Sequence, residues 1–166
     1  MRFVEVPTGS LLKAKYGAAS YQDCFMQPLA PSEERGPVGL FFKMFHPVPV
    51  WVSALMRLRN FIVGFLGLET TSGAASGLQK PEADYQVGDK IDFFKIVNLS
   101  ENEVIVTAND THLDSSFSLY LDEKGGETMV YMTSVVETKG RLGDIYMFVI
   151  APFHRLIVRQ LLKRLS

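Results

Sequence analysis

The residues best suited to acid–base chemistry lie in the segment Asp110-Thr-His112-Leu-Asp114. Alternate residues of a β-strand share one face, so both carboxylates and the imidazole are expected to point the same way. A carboxylate beside a histidine fixes the tautomer of the imidazole and raises its basicity, as general acid–base catalysis requires. The alternative interpretation is a polar strand face in contact with solvent.

Carboxylate and imidazole groups are also ligands of zinc and iron. The segment has no companion cluster with ligand spacing, and a site of three histidines would need His46, His112 and His154 to converge. Nothing in the sequence indicates that they do, so we predict no metal and no cofactor.

Two arginines and a histidine lie inside apolar patterns. Arg59 projects from the apolar side of a predicted helix that also carries Trp51. Burying a guanidinium without a partner is costly, so Arg59 is expected to meet a carboxylate of the chain or an acidic ligand. His154 and Arg155 follow Pro152-Phe153 in the apolar C-terminal stretch. A hydrogen-bonded structural role and a ligand-binding role are both open for this pair.

Composition excludes several classes of protein. The 166 residues carry 17 basic and 18 acidic side chains, a net charge of −1, so no basic surplus indicates nucleic-acid binding. The lone cysteine, Cys24, excludes an intrachain disulfide and suits a reducing, cytoplasmic location. Phosphate-binding glycine loops, nucleophile elbows and zinc-protease motifs are absent, so no familiar enzyme class is indicated.

No segment is predicted to span a membrane. The uncharged run 44–56 is shorter than the roughly 20 residues that a spanning helix needs, and it contains two prolines. The apolar run 40–56 and the basic residues Arg159, Lys163 and Arg164 leave transient contact with a membrane surface open.

The elements follow from the periodicity. A short strand is expected at 2–6, a short helix at 10–16 capped by Ser10, and a second strand at 21–25. Prolines and glycines break regular structure until residue 40, and a helix is expected over 49–66. Residues 69–83 are small and polar and predict a flexible loop. Four antiparallel strands follow, at 91–98, 104–109, 112–121 and 128–137.

The C-terminal segment has the longest helical pattern. At 3.6 residues per turn, one apolar stripe contains Leu142, Tyr146, Val149, Phe153, Ile157, Leu161 and Leu165. Pro152 interrupts it, so residues 145–151 are either a last strand or the first half of one kinked helix, and the continuous stripe favours the helix.

These residues resemble a bacterial family of uncharacterised domains that is similar to the START/SRPBCC (Bet v-like) helix-grip superfamily. The resemblance rests on Tyr21-x-Asp23-x-Phe25, Trp51, Arg57-x-Arg59-Asn60, Val87-Gly88-Asp89, Asp110-x-His112-Leu113-Asp114 and Pro152-Phe153-His154-Arg155. It covers nearly the whole chain. The family pattern leads us to expect an aromatic residue and an arginine after Asp114, where this chain has Ser115-Ser116.

The resemblance implies an α+β helix-grip fold, in which a curved antiparallel sheet wraps around a long C-terminal helix, as a single domain over 1–166. It implies an apolar cavity between sheet and helix for a small hydrophobic or lipid-like ligand. A cyclase- or hydratase-like enzyme using His112 with Asp110 or Asp114, and a peripheral lipid-transfer protein, are the alternatives. The oligomeric state is left open. The candidate ligand-binding residues are Trp51, Arg59, Asp110, His112, Asp114, His154 and Arg155.

Overall fold

The computed structural model of the protein describes residues 2–33, 35–54, 57, 80–109 and 112–166. Within these residues, seven strands form one antiparallel sheet. The strands are β1 (Arg2–Phe3), β2 (Tyr21–Pro28), β3 (Lys90–Ile91), β4 (Phe94–Leu99), β5 (Glu103–Asn109), β6 (Leu113–Lys124) and β7 (Glu127–Thr138).

The order of the strands across the sheet is β1-β2-β7-β6-β5-β4-β3. Strands β3 to β7 form the predicted meander, and β2 pairs with β7 from Tyr21 opposite Val136 to Pro28 opposite Met129. Gly125 and Gly126 join β6 to β7 with φ values of 63° and 84°. Two consecutive positive φ angles are those of a tight hairpin turn, which glycine adopts without strain.

In the described part of the chain, two helices of nine residues or more accompany the sheet. Helix α1 covers Pro37–Phe45, and helix α2 covers Gly140–Leu162 and continues as a 3-10 turn over Lys163–Leu165. Shorter 3-10 turns lie at Leu11–Ala14 and Glu82–Asp84, and residues 50–54 are helical. A seven-stranded curved antiparallel sheet with a long C-terminal helix confirms the predicted α+β helix-grip architecture.

One face of the sheet, called here the helix-side face, packs against α1 and the last turns of α2. Alternation along each strand supplies this core. Its fully buried members include Leu40, Phe41 and Met44 of α1, Ile96, Val104, Leu119 and Met132 of the sheet, and Leu162 and Leu165 at the C-terminus.

The opposite face of the sheet, called here the outer face, is covered by the N-terminal residues. Val6 packs on Tyr120 and Tyr131, and Leu12 packs on Ile105 and Val135. The face that carries Asp114 continues along β6 with Ser116, Ser118 and Tyr120, which are buried, so the polar strand face expected in contact with solvent does not extend beyond Asp114. The alternate residues Leu113, Phe117, Leu119 and Leu121 point to the helix-side face.

A buried carboxylate fixes this N-terminal cover. Glu103 is 1% exposed, and its oxygens accept hydrogen bonds from Ser10 Oγ at 2.6 Å, from the Leu11 amide at 3.0 Å and from Ser118 Oγ. Ser10 also caps the Leu11–Ala14 turn, as predicted, by accepting a hydrogen bond from the Leu12 amide. Three donors satisfy a carboxylate that would be costly to bury alone.

Helix α2 includes Pro152, so the helix rather than the strand interpretation of 145–151 is confirmed. The predicted packing stripe is wrong in its first half: Leu142, Val149 and Phe153 are each between 44% and 49% exposed. The buried residues of α2 are Gly143, Met147, Val158, Leu161 and Leu162, of which Leu161 belongs to the predicted stripe.

The reason lies at Gly143. A β-carbon there would lie 2.5 Å from the backbone carbonyl oxygen of His112, so this position of the helix must be a glycine to approach the sheet so closely. Because every residue from Ile145 to Phe153 is apolar or aromatic, periodicity could not identify this face.

Two further element predictions are wrong. Helix α1 begins at Pro37, inside the stretch expected to lack regular structure, because proline is well tolerated in a first helical turn. The strand expected over 91–98 is divided into β3 and β4 by a turn in which Asp92 has φ 56°. Of the predicted helix over 49–66, residues 50–54 and 57 are helical; the rest, and positions 69–79 of the predicted flexible loop, lie outside the described residues.

By length and composition, one helix of the described chain, Gly140–Leu165, is apolar enough to cross a membrane. It also buries Met147, Val158 and Leu161 in the packed interior. Length and composition therefore do not make it a membrane span.

Candidate functional site

A cluster of polar side chains lies where β2 and β7 meet α2. Asp23 points from β2 to the helix-side face, and Ser134 is its direct partner on β7. Tyr21 precedes Asp23 by two residues and therefore shares its face. Helix α2 contributes His154 and Arg155. We call Tyr21, Asp23, Ser134, His154 and Arg155 the junction cluster.

Asp23 is the centre of the junction cluster. It is 0% exposed, and its Oδ2 atom accepts a short hydrogen bond from the hydroxyl of Tyr21. His154 Nε2 lies 3.8 Å from the same oxygen, which is too long for a hydrogen bond, and 3.1 Å from Ser134 Oγ. The other carboxylate oxygen, Asp23 Oδ1, is buried and has no hydrogen-bond partner among the described residues.

Arg155 brings a cation to the edge of the cluster. Its Nε atom donates a hydrogen bond of 3.2 Å to the Tyr21 hydroxyl, and its guanidinium carbon lies 5.5 Å from the centre of the Tyr21 ring. The Tyr21 hydroxyl thus accepts from an exposed arginine and donates to a buried aspartate. This arrangement connects the interior carboxylate to the surface.

Burial decides the protonation states. It lowers the pKa of His154 below its ordinary value; the nearby Asp23 charge opposes this and Arg155 adds to it. At neutral pH the imidazole is therefore neutral, the form that can accept a proton. Burial, followed by the hydrogen bond to Asp23, raises the pKa of Tyr21 far above its ordinary value, so the phenol stays a donor.

Aromatic rings lie beside the cluster, and part of this region is exposed. The ring of His154 lies 5.7 Å from that of Tyr21 and 5.9 Å from that of Phe117, centre to centre. Phe117 points to the helix-side face yet is only half-buried, and the His154 side chain is 19% exposed. The partly exposed side chains of Phe117 and His154 therefore adjoin the buried carboxylate of Asp23.

A sequence profile of proteins of unknown function, DUF2867, matches residues 15–161 and so includes the whole junction cluster. The chain belongs to the DUF2867 family. The expectation of a family of uncharacterised domains is confirmed at that level. No curated protein matches this DUF2867 chain.

Of the residues predicted from the sequence, the DUF2867 fold brings His154 and Arg155 into the cluster. Asp114 forms an ion pair with Lys139 at 2.7 Å, and Trp51 is 38% exposed on the helical residues 50–54. Among the described residues, no hydrogen bond or ion pair joins Trp51, His112 or Asp114 to the cluster. Arg59 and Asp110 lie outside the described residues.

Three members of the cluster, Tyr21, Asp23 and Ser134, are not among the candidate residues predicted from the sequence. A signal for Asp23 was present, since strand alternation places its carboxylate on the same face as the aromatic residues Tyr21 and Phe25. Ser134 carries no such signal, because its role depends on the pairing of β2 with β7, more than 100 residues apart in the chain.

The other polar sites in the described part of the DUF2867 fold differ from the junction cluster in position and in the residues that form them. His46 Nε2 lies 2.7 Å from Asp92 Oδ2, a pair that connects the end of α1 to the turn between β3 and β4. Two surface depressions, of about 570 and 470 Å³, are open and lined by no residue of α2. No group of three His, Cys, Asp or Glu side chains in the described part of the chain could hold a metal ion.

Proposed function

We propose that the domain binds a small, mainly apolar molecule carrying one hydrogen-bond donor, at the junction of the sheet and α2. The observation that supports this most directly is Asp23 Oδ1, a buried carboxylate oxygen without a described partner. Buried polar atoms are nearly always hydrogen-bonded, and an unsatisfied one costs about 1–3 kcal/mol, more when it is charged. A hydroxyl or amine of a ligand would supply the missing donor.

The surroundings support an apolar body for this ligand. Phe117 and Met147 approach the cluster from the sheet and from α2, and Phe117 and His154 are both partly exposed. Few polar groups in an apolar setting are typical of small-molecule sites, where the polar groups set the orientation of the ligand. A ligand carboxylate would meet the charge of Asp23, so we expect anionic ligands to be rejected.

The resemblance to the START/SRPBCC superfamily supports the same proposal. In that superfamily the ligand lies between the sheet and the C-terminal helix. Here β2 pairs with β7 and the chain then enters α2, so the sheet and helix are arranged as that resemblance implies. We propose that the DUF2867 chain is a distant member of the superfamily.

Ligands of equal length and different head group test this proposal. We expect decan-1-ol and decylamine to raise the melting temperature of the protein, and decanoate and decane to do so much less. Asp23→Asn should weaken alcohol binding about tenfold, as expected for losing one charge-assisted hydrogen bond. Glu103→Gln, a change to a buried carboxylate on the outer face, serves as the matched control.

Native mass spectrometry of protein purified from its host complements this assay by identifying any bound molecule. Decanoate binding as tightly as decanol, or Asp23→Asn binding decanol like the wild type, would contradict the proposal.

A second candidate function, acid–base catalysis on the bound molecule, is favoured by the neutral imidazole of His154 beside Asp23. A general base must be unprotonated at the working pH and within reach of the proton it removes. The predicted base His112, with Asp110 or Asp114, stays a prediction. Incubation of the co-purified molecule with protein in D2O distinguishes His154 from His112 as the base. If His154→Gln abolishes exchange of the carbon-bound hydrogens of the molecule and His112→Gln preserves it, His154 is supported.

A further inference from the structure

Helix α2 has a second apolar face that does not meet the sheet. It consists of Leu142, Ile145, Phe148, Val149, Phe153 and Leu156, which we call the exposed stripe. Phe148 is 85% exposed and Ile145 is 61% exposed. Large apolar side chains that gather on one exposed surface mark interaction sites, whereas scattered ones do not.

The members of the exposed stripe recur at intervals of one to four residues. At 3.6 residues per turn they fall within an arc of about 140°. Gly143, Met147 and Val158 lie on the opposite side and are buried. The stripe therefore presents four turns of the helix outward as one continuous surface.

The charge on this part of the chain is unlike that of the rest. From Gly140 to Ser166 there are five basic residues and one acidic residue, a net charge of +4, whereas the whole chain carries −1. Residues 1–139 therefore carry −5. The single acid, Asp144, already accepts a hydrogen bond from Thr138. Arg141, Arg159 and Lys163 are exposed and form no ion pair with the described residues.

We infer that the exposed stripe docks on the surface of an anionic membrane, with α2 lying in the plane of the interface. An apolar helix face flanked by arginine and lysine is the arrangement that inserts into the headgroup region and is held there by anionic lipids. The negative remainder of the protein would turn away from the bilayer. The charge pattern thus favours one orientation on the membrane.

The same pattern disfavours a second copy of the chain as the occupant. A two-fold interface places the same patch on both subunits, so the two sets of α2 cations would lie in one contact. The sequence also predicts membrane contact at 40–56. Leu40, Phe41 and Met44 of that run are buried in the core, whereas Val48, Val50 and Trp51 are exposed, so contact by its second half stays a prediction. The basic residues Arg159 and Lys163 of that prediction belong to the surface proposed here.

Vesicle sedimentation with the full chain tests the inference. We expect binding to vesicles of phosphatidylcholine with 30% phosphatidylglycerol, little binding to pure phosphatidylcholine, and weakening as salt is raised. Ile145→Ser with Phe148→Ser should reduce the partition coefficient at least tenfold, because two large side chains are lost from the apolar face that enters the membrane. Arg159→Gln should reduce it about fivefold, from about 1 kcal/mol per cation near the surface.

The matched control is Leu11→Ser with Val87→Ser, which removes two exposed apolar side chains, 58% and 61% exposed, away from α2. It should bind vesicles like the wild type. Circular dichroism verifies that each variant is folded. Absence of binding to anionic vesicles, equal binding to neutral ones, or equal loss in the control overturns the inference. A dimer in sedimentation velocity that Ile145→Ser with Phe148→Ser dissociates also overturns it, since the stripe would then be a subunit interface.

Discussion

The hydrogen bond from Tyr21 to Asp23 makes a quantitative prediction for Tyr21→Phe. The change removes one oxygen from a residue that is 9% exposed, without removing its ring. In the wild type, Asp23 Oδ2 accepts from this hydroxyl and Oδ1 has no described partner. Without the hydroxyl, Oδ2 loses the hydrogen bond described for it, and His154 Nε2 lies 3.8 Å away, beyond hydrogen-bonding distance.

The expected cost follows from the charge on the acceptor. A hydrogen bond to a charged group contributes about 1.5–3 kcal/mol, and losing one partner of a buried charge costs more than that of a neutral group. The bond that Arg155 donates to Tyr21 is made by an exposed side chain and adds little. We therefore expect the free energy of unfolding to fall by about 2–3 kcal/mol in urea titrations at pH 8.

A double-mutant cycle identifies the charge as the cause. In the Asp23→Asn background the acceptor is neutral, so Tyr21→Phe should cost about 0.5–1.5 kcal/mol, leaving a coupling of roughly 1–2 kcal/mol. The control is Tyr120→Phe: Tyr120 is 8% exposed, and its hydroxyl forms no hydrogen bond with the described residues, so its cost should stay below about 0.5 kcal/mol. Equal costs of Tyr21→Phe in the two backgrounds would refute the reasoning.

Three further predictions concern pH, reactivity and packing. Burial lowers the pKa of His154, so below pH about 6.5 the unfolded chain binds a proton that the folded chain does not. The free energy of unfolding should then fall by up to about 1.4 kcal/mol per pH unit as the pH decreases, and His154→Gln should flatten this slope in urea titrations from pH 8 to 5.5. Burial raises the pKa of Cys24 to about 11, so about one thiol in a thousand is ionised at pH 8. Because the side chain is also fully buried, labelling by Ellman's reagent should proceed no faster than unfolding. Faster labelling would show that the N-terminal cover of the outer face opens locally. Gly143→Ala places a β-carbon 2.5 Å from the His112 carbonyl oxygen and should destabilise the fold by about 1–3 kcal/mol; a melting temperature equal to that of the wild type would show that α2 approaches the sheet less closely than described.

The architecture could be predicted from the sequence because it depends on local patterns. Each pattern extends over neighbouring residues. These patterns are the period of two in strands β4 to β7, the glycine turn before β7 and the helical period after Gly140. Helix α1 was missed because Pro37 and Gly39 are usually signs of irregular structure. The outer face was misread because the residues that cover it, Val6 and Leu12, are 100 residues from β6 in the chain.

The candidate site could be predicted only in part, because it is assembled from three distant segments. His154 and Arg155 were selected because a histidine and an arginine are unusual in an apolar helix. Asp23 and Ser134 become neighbours through the pairing of β2 with β7, which no single segment specifies. His112, which the sequence marks as suited to acid–base chemistry, immediately precedes β6. Its backbone carbonyl oxygen accepts a hydrogen bond from the Lys139 amide and lies where a β-carbon at position 143 would contact it.

One contact, that of Gly143 with the sheet, sets both surfaces of α2 to which we assign a function. Eleven residues are close to three helical turns, so His154 lies on the same side of the helix as Gly143 and faces Asp23. Phe148 is five residues from Gly143, about 140° away around the helix, and therefore faces outward. If a side chain at position 143 made α2 rotate, the same rotation would move His154 away from Asp23 and turn the exposed stripe towards the sheet. The ligand site and the membrane-docking surface proposed here thus depend on the same glycine, although each has a test that does not involve the other.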